Sequence, residues 1–370
     1  MTQDDRAVEI LRELGTRPAA PFFEQGLGGY IFDVLTGLGL DPRRDAYGNI
    51  VSRYRDLPEE ADQPPIAFVA HMDHPGFEIV KVGDGRAVAR AIGGVPVASL
   101  TKPTPVLVLA PDGRRISVET VPVAQGPSKR EVEIRLPDDL SLEPPVPVVF
   151  DLADFVLDGD TLRMRALDDL AGCAAILAAT ERLMKEGART DMFSVFTRAE
   201  EVGLYGARLM AEEGTLPKNT LVVSIESSPV IPGVAQGDGP VIRTGDAAYT
   251  FDADAEQVLV AARERIKERD AGYRSQRQLM SGGTCEATAF AAFGYQATGI
   301  AFPLGHYHNA TTRIPDPEGG VGAEYIKLSD FLGGVELVYE AAKSVAARGD
   351  SPTRRRIREV SDEVRERLIG

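Results

Sequence analysis

Cysteine is almost absent from this 370-residue sequence. Only Cys173 and Cys285 occur, which rules out a disulfide framework and fits a reducing cytoplasm. No apolar run approaches the roughly 18 residues of a membrane span. The opening residues, MTQDDRAVEI, lack the basic and apolar regions of a signal peptide. Positive charge is in deficit: 41 Lys and Arg face 56 Asp and Glu, for a net charge of −15. That argues against nucleic acid and anionic membrane as partners. At 43% hydrophobic and 26% charged, the composition is that of a globular protein long enough for two domains.

Histidine is scarce too, and its four copies fall in two short clusters: His71 and His74 in HMDHPG, His306 and His308 in GHYHN. Between them lie three acidic motifs, ALDDLAG (Ala166 to Gly172), RAEEVG (Arg198 to Gly203) and SIESS (Ser224 to Ser228). Five candidate ligands from five segments, His71, Asp168, one of Glu200 and Glu201, Glu226 and His308, are too few for two isolated ions. They suffice if one carboxylate is shared, which is the arithmetic of a two-metal hydrolase.

The order of elements supports a common location. Ala7 to Leu14 and Gly28 to Leu38 read as amphipathic helices, and Pro65 to Ala70 (PIAFVA) as a buried strand ending at His71. From Gly76 to Arg163 short β-prone runs such as PTPVLVLAPDG and PPVPVVFDL alternate with turns, with no helix of useful length. From Ala166 strand and helix alternate: helices over Asp169 to Lys185, Gly203 to Glu213, Ala255 to Asp270 and Cys285 to Phe293, strands at Asp191 to Phe196, Leu221 to Ile225 and Ala297 to Phe302. A long closing helix is expected from Tyr325 to Ala347. The fold class expected is α/β, a mostly parallel sheet sandwiched by helices with an inserted small all-β, barrel-like domain. The expected division is a discontinuous catalytic domain, 1–75 and 164–350, an insert at 76–163, and a charged helix or tail at 351–370. In such sheets sites form at the C-terminal strand ends, which would gather all five candidates at one edge.

These motifs, in this order and with this insertion, resemble the co-catalytic two-zinc aminopeptidases, most closely the branch that forms tetrahedral dodecamers (glutamyl and leucyl aminopeptidases). AHMDHPGFEIV, the upstream turn DAYGNIV, ALDDLAGCAA, RAEEVGLYGA and GHYHN carry the likeness, which covers nearly the whole chain. The resemblance implies the zinc-peptidase fold and a set of roles. Asp168 would bridge two metals, His71 and Glu226 would complete one site, and Glu201 and His308 the other. Glu200 would be the general base. Asp73 would accept the second ring N–H of His71, and a cis peptide would follow Asp168. Gly283 and Cys285, in SGGTC, fall where that family lines its substrate pocket, and His306 is a further candidate for substrate binding. Departures from the family pattern occur at Asp169 and Leu170, at Glu226 (usually Asp), at Cys285 (usually Asp), at Asn309 and at His74.

The implied chemistry is removal of N-terminal residues from short peptides. Two divalent ions, zinc foremost with cobalt or manganese as alternatives, would activate water, and Glu200 would take its proton. The implied assembly is a homo-oligomer between dimer and dodecamer. A carboxypeptidase, or an amidohydrolase or deacylase of small acyl-amino compounds, could use the same ligands, and a non-catalytic scaffold is the third reading. The all-β insert favours the aminopeptidase, and the intact Glu200 argues against a scaffold.

Overall fold

The computed structural model describes residues 2–59, 61, 63–123, 130–138, 140–349 and 352–370. An eight-stranded sheet forms its centre, in the order Arg43–Arg44, Ile50–Arg55, Asp191–Thr197, Ile66–His71, Leu221–Pro229, Gln296–Leu304, Val241–Gly245, Gln276–Leu279. The four middle strands run parallel, and antiparallel joins occur on either side of them. Ile66–His71 is buried at every residue, because both faces are covered. Ile66, Phe68 and Ala70 enter one apolar cluster, with helices Gln3–Gly15, Gln25–Gly37, Leu170–Glu186, Ala253–Arg269 and Leu328–Ala342. Ala67 and Val69 point the other way, against Tyr205–Glu213 and Glu286–Ala292. The period-two alternation of a strand thus feeds two cores at once, which is why PIAFVA carries no polar residue.

A six-stranded antiparallel sheet lies between Gly76 and Phe150, in the order Arg115–Glu119, Pro105–Leu109, Val146–Phe150, Gly76–Gly83, Arg86–Ile92, Glu131–Arg135. It curls until its edges meet at a bridge between Thr120 and Ile134. It encloses its own apolar cluster, with Phe77 and Phe150 packed edge to face at 5.5 Å. The next two strands leave this sheet: Val156–Asp158 pairs with Thr161–Met164, which pairs on its other side with Glu324–Lys327.

That pairing corrects the closing helix expected from Tyr325. Glu324–Lys327 is a strand held by Thr161–Met164, and the helix starts at Leu328 and stops at Ala342. The apolar periodicity of the segment carries no sign of a strand partner 160 residues upstream. The boundary expected at 350/351 lies outside the described residues. Beyond it, Pro352–Arg358 and Asp362–Ile369 are short helices, and the second buries no residue. No helix among the described residues is long and apolar enough to cross a membrane.

Candidate metal centre

His71 is the last residue of its strand and Glu226 stands near the end of the neighbouring one. Glu200 and Glu201 lie in the loop after Asp191–Thr197, and His308 in a turn after Gln296–Leu304. Asp168 precedes helix Leu170–Glu186, whose N-cap is Asp169, accepting the Gly172 N–H at 3.1 Å. All converge at the C-terminal edge of the parallel strands, where the strand carbonyls end and side chains can meet.

The two oxygens of Asp168 face different partners. Oδ1 is 3.4 Å from His71 Nε2, which lies 3.9 Å from Glu226 Oε2. Oδ2 is 3.9 Å from His308 Nε2, which lies 3.1 Å from Glu201 Oε2. Around a tetrahedral ion with bonds of about 2.0–2.1 Å, neighbouring ligand atoms stand roughly 3.3 Å apart, which the 3.4 and 3.1 Å pairs match and the 3.9 Å pairs exceed. Ligand atoms of His71, Asp168 and Glu201 lie within 4.8 Å of one another. Glu201 Oε1 is buried without a hydrogen-bond partner among the described residues. A carboxylate oxygen left so is costly unless a cation meets it.

The supports of these side chains are specific. His71 Nδ1–H donates to the backbone carbonyl of Asp73 at 2.9 Å, which fixes the tautomer and leaves the Nε2 lone pair to the cavity. The expected partner was the Asp73 carboxylate, and that is corrected here: Oδ1 is 3.9 Å away. Its oxygens are engaged by the backbone N–H groups of Glu200 and Glu201, at 3.0 and 3.1 Å. Asp73 thus holds the double-glutamate loop. The Asp45–Asn49 turn holds it from the other side. Asp45 accepts the Asn49 side-chain amide at 2.7 Å, and Asn49 Oδ1 accepts the Arg198 N–H at 3.0 Å. Buried Glu24 accepts from Ala199 N–H and from Arg198 Nε. The peptide Asp168–Asp169 is cis.

Charge in the site is lopsided. Burial pushes the Glu200 carboxyl well above its ordinary range; His71 opposes this, and Glu201, Glu286 and Asp73 add to it. Glu226 is raised likewise by burial and by Glu286 and Glu200. Asp168 goes the other way: burial raises it, but His71, then His308 and His74, bring it below the usual value.

Among the three expected pocket residues only Gly283 lines the cavity that holds Asp168, Glu200, Glu201, Glu226 and His308. His306 turns away, its Nδ1–H bonded to the Ala323 carbonyl. Cys285 is fully buried in the second apolar cluster, where burial pushes its thiol up to about 11. His74 stands behind Asp168, with Nδ1 at 2.8 Å from its carbonyl and Nε2 at 2.9 Å from Asn309 Oδ1. Sequence reasoning missed Glu324, whose carboxylate accepts the N–H groups of Leu167, Asp168 and His308. Arg243 also lies in the cavity wall. A groove between Gln3, Arg182, Tyr273 and Leu332 holds none of the candidate residues.

Residues 138–316 match the family model described as M42 glutamyl aminopeptidase. Over that span the chain is similar to the M42 peptidases. A curated protein of Acetivibrio thermocellus, named provisionally as an aminopeptidase, is 27% identical over 197 residues. That match takes in 51% of this chain and 54% of the relative, so the chain spans about half the length of the curated relative. Among solved structures, an aminopeptidase of the archaeon Desulfurococcus kamchatkensis superimposes with a TM-score of 0.77 at 24% identity, over 94% of this chain and 98% of that one. The TET1 peptidase of Pyrococcus horikoshii, described as assembling into a tetrahedron or a large octahedral shell, gives 0.73 at 22%, over 91% and 99%. At these identities the likeness establishes the fold alone: a mostly parallel sheet between helices, with a curled antiparallel sheet beside it.

Proposed function

We propose that the chain is a two-metal aminopeptidase acting on short peptides. The observation that carries this is the division of Asp168, with one oxygen toward His71 and Glu226 and the other toward His308 and Glu201. Two divalent ions held there, zinc foremost with cobalt or manganese able to replace it, would supply Lewis-acid polarisation of a carbonyl and a lowered pKa for water. Glu200 supplies the base. It shares a loop with the ligand Glu201, yet its Oε2 stands 3.9 Å from His71 Nε2 and its carboxyl is raised by burial, so it can take a proton from water and pass it to the leaving amine. Asp73 keeps both glutamates in place by their backbone N–H groups.

Arg243 refines the substrate. It is 2% exposed, lines the same cavity, and its Nε and Nη1 have no partner among the described residues. A buried guanidinium so placed favours an anion, and an acidic side chain on the first residue of the peptide would meet it. The division into a catalytic part, 1–75 and 164–350, an insert, 76–163, and a tail, 351–370, belongs to the same proposal. So does a homo-oligomer, for which the assemblies described for the TET relatives are the support.

The test is a panel of free and N-acetylated short peptides beginning with Glu, Asp, Ala or Leu. Chelated and zinc-, cobalt- or manganese-reloaded protein is used, with products read by mass spectrometry. Metal-dependent release of single N-terminal residues, blocked by acetylation and fastest for Glu and Asp, is expected. Arg243→Met should erase the acidic preference. Cleavage confined to acetylated or C-terminal bonds would move the function to a deacylase or carboxypeptidase. Light scattering of the full chain checks the assembly.

A further inference from the structure

The site's five ligand side chains leave unexplained what fixes the loop carrying His308. His306, His308 and Asn309 have φ of 54°, 54° and 63°, the left-handed region that residues with a Cβ rarely adopt. Such a run needs restraint from outside. The His308 N–H donates to Oε1 of Glu324 at 3.0 Å. The other oxygen, Oε2, accepts the N–H groups of Leu167 at 2.7 Å and Asp168 at 3.0 Å. Glu324 is fully buried and opens a strand, paired there with Met164.

One carboxylate therefore ties the loop of the shared ligand to the loop of His308. The Asp168 end has other supports: His74 Nδ1 on its carbonyl, and Ser227 Oγ on the Leu167 carbonyl at 3.0 Å. The His308 loop is also tied through the Asn309 side chain, to the Arg165 and Gly322 carbonyls and to His74, but the His308 N–H itself has Glu324 alone among the described residues. We infer that Glu324 is a positioning residue that sets the Glu201–His308 half of the site, while the His71–Glu226 half stands without it. The inference rests on the two-metal reading above.

A carboxylate is required because three N–H donors converge on two acceptor oxygens. Glutamine offers one oxygen and turns an NH₂ toward an N–H, donor against donor. The test is calorimetric titration of chelated full-length protein with Zn²⁺, and with Co²⁺ followed by visible absorption. The unmodified chain should take two ions. Glu324→Gln should take one with unchanged affinity and the other at least ten-fold more weakly, with only the second cobalt spectrum altered. Two ions bound as in the unmodified chain, or equal weakening of both, would overturn the inference. If circular dichroism shows Glu324→Gln unfolded, Glu324→Asp, which keeps the charge but shortens the reach, carries the same expectation. An unmodified chain that takes fewer than two ions overturns the two-metal reading together with this one. The readout is metal binding, so a failure to cleave peptides counts against the aminopeptidase alone.

Discussion

Glu200 and Glu201 are neighbours in sequence with different surroundings, and the cause lies in the backbone. Asp73 takes both of their N–H groups, so the loop is pinned while the two side chains diverge, Glu201 toward His308 and Glu200 toward His71. Glu200→Gln removes the proton acceptor without touching a proposed ligand. Turnover should fall by about 10²–10⁴, with bound metal unchanged by elemental analysis. Asp73→Asn places an NH₂ against one of the two N–H groups, and kcat should fall by about ten- to a hundred-fold, read in steady-state kinetics with metal content measured alongside. At this scale the sequence was legible wherever chemistry resides in side-chain type. His71, Asp168, Glu201, Glu226 and His308 stand together because histidines and carboxylates followed strands. It was illegible where a side chain serves the backbone. Glu324, in GAEYIK, looks like any surface glutamate, and the acceptor of the His71 ring proton is a main-chain carbonyl that no residue type announces.

Among the elements, the curled antiparallel sheet reaches the site at one turn. A Cβ on Gly94 would fall 1.9 Å from His308 Nδ1, and one on Gly93, at φ 80°, would stand 3.2 Å from Pro75 and Glu201. This turn is a wall behind the imidazole, so a single methyl there must displace the ring. Gly94→Ala should weaken metal binding at least ten-fold and leave the melting temperature within a few degrees, since the turn lies outside the three large apolar clusters. Calorimetry and thermal denaturation separate the two effects. Strands and helices with a strong local period were readable, as PIAFVA and the Ala-rich helix Leu170–Glu186 attest. Val241–Gly245 and Gln276–Leu279 were not, because short runs such as QRQL become strands only by pairing with a sheet edge. Glu324–Lys327 is the same case, a four-residue strand created by a partner far upstream.

For the whole molecule the balance of buried charge decides the response to metal and pH. Asp73, Asp168, Glu226, Glu286 and Glu324 are all buried about the site, with His71, His74, His308 and Arg243 the buried basic side chains near them. A fold with that excess is strained electrostatically until cations arrive, so binding to the folded chain alone must stabilise it. At a free metal concentration of 100 times Kd the gain is about 2.7 kcal/mol per site. Chelation should therefore lower the melting temperature by several degrees, and reloading should restore it. The pH dependence has a definite sign. Burial and the charges of Glu24 and Glu201 push the Asp73 carboxyl up to about 7 against the pull of His71. Glu200 and Glu226 are raised likewise, and His71 is held above its ordinary value by its carboxylate neighbours despite burial. Between the ordinary carboxylate range and about 7 the folded chain then binds more protons than the unfolded one, so stability falls as pH rises. The metal-free melting temperature should drop as pH is raised through that window. With bound cations in the place of those protons the loaded protein should lose the trend, and parallel melts of chelated and zinc-loaded protein across the window would expose the difference. Parallel slopes would mean that the acidic cluster is not where the metal binds.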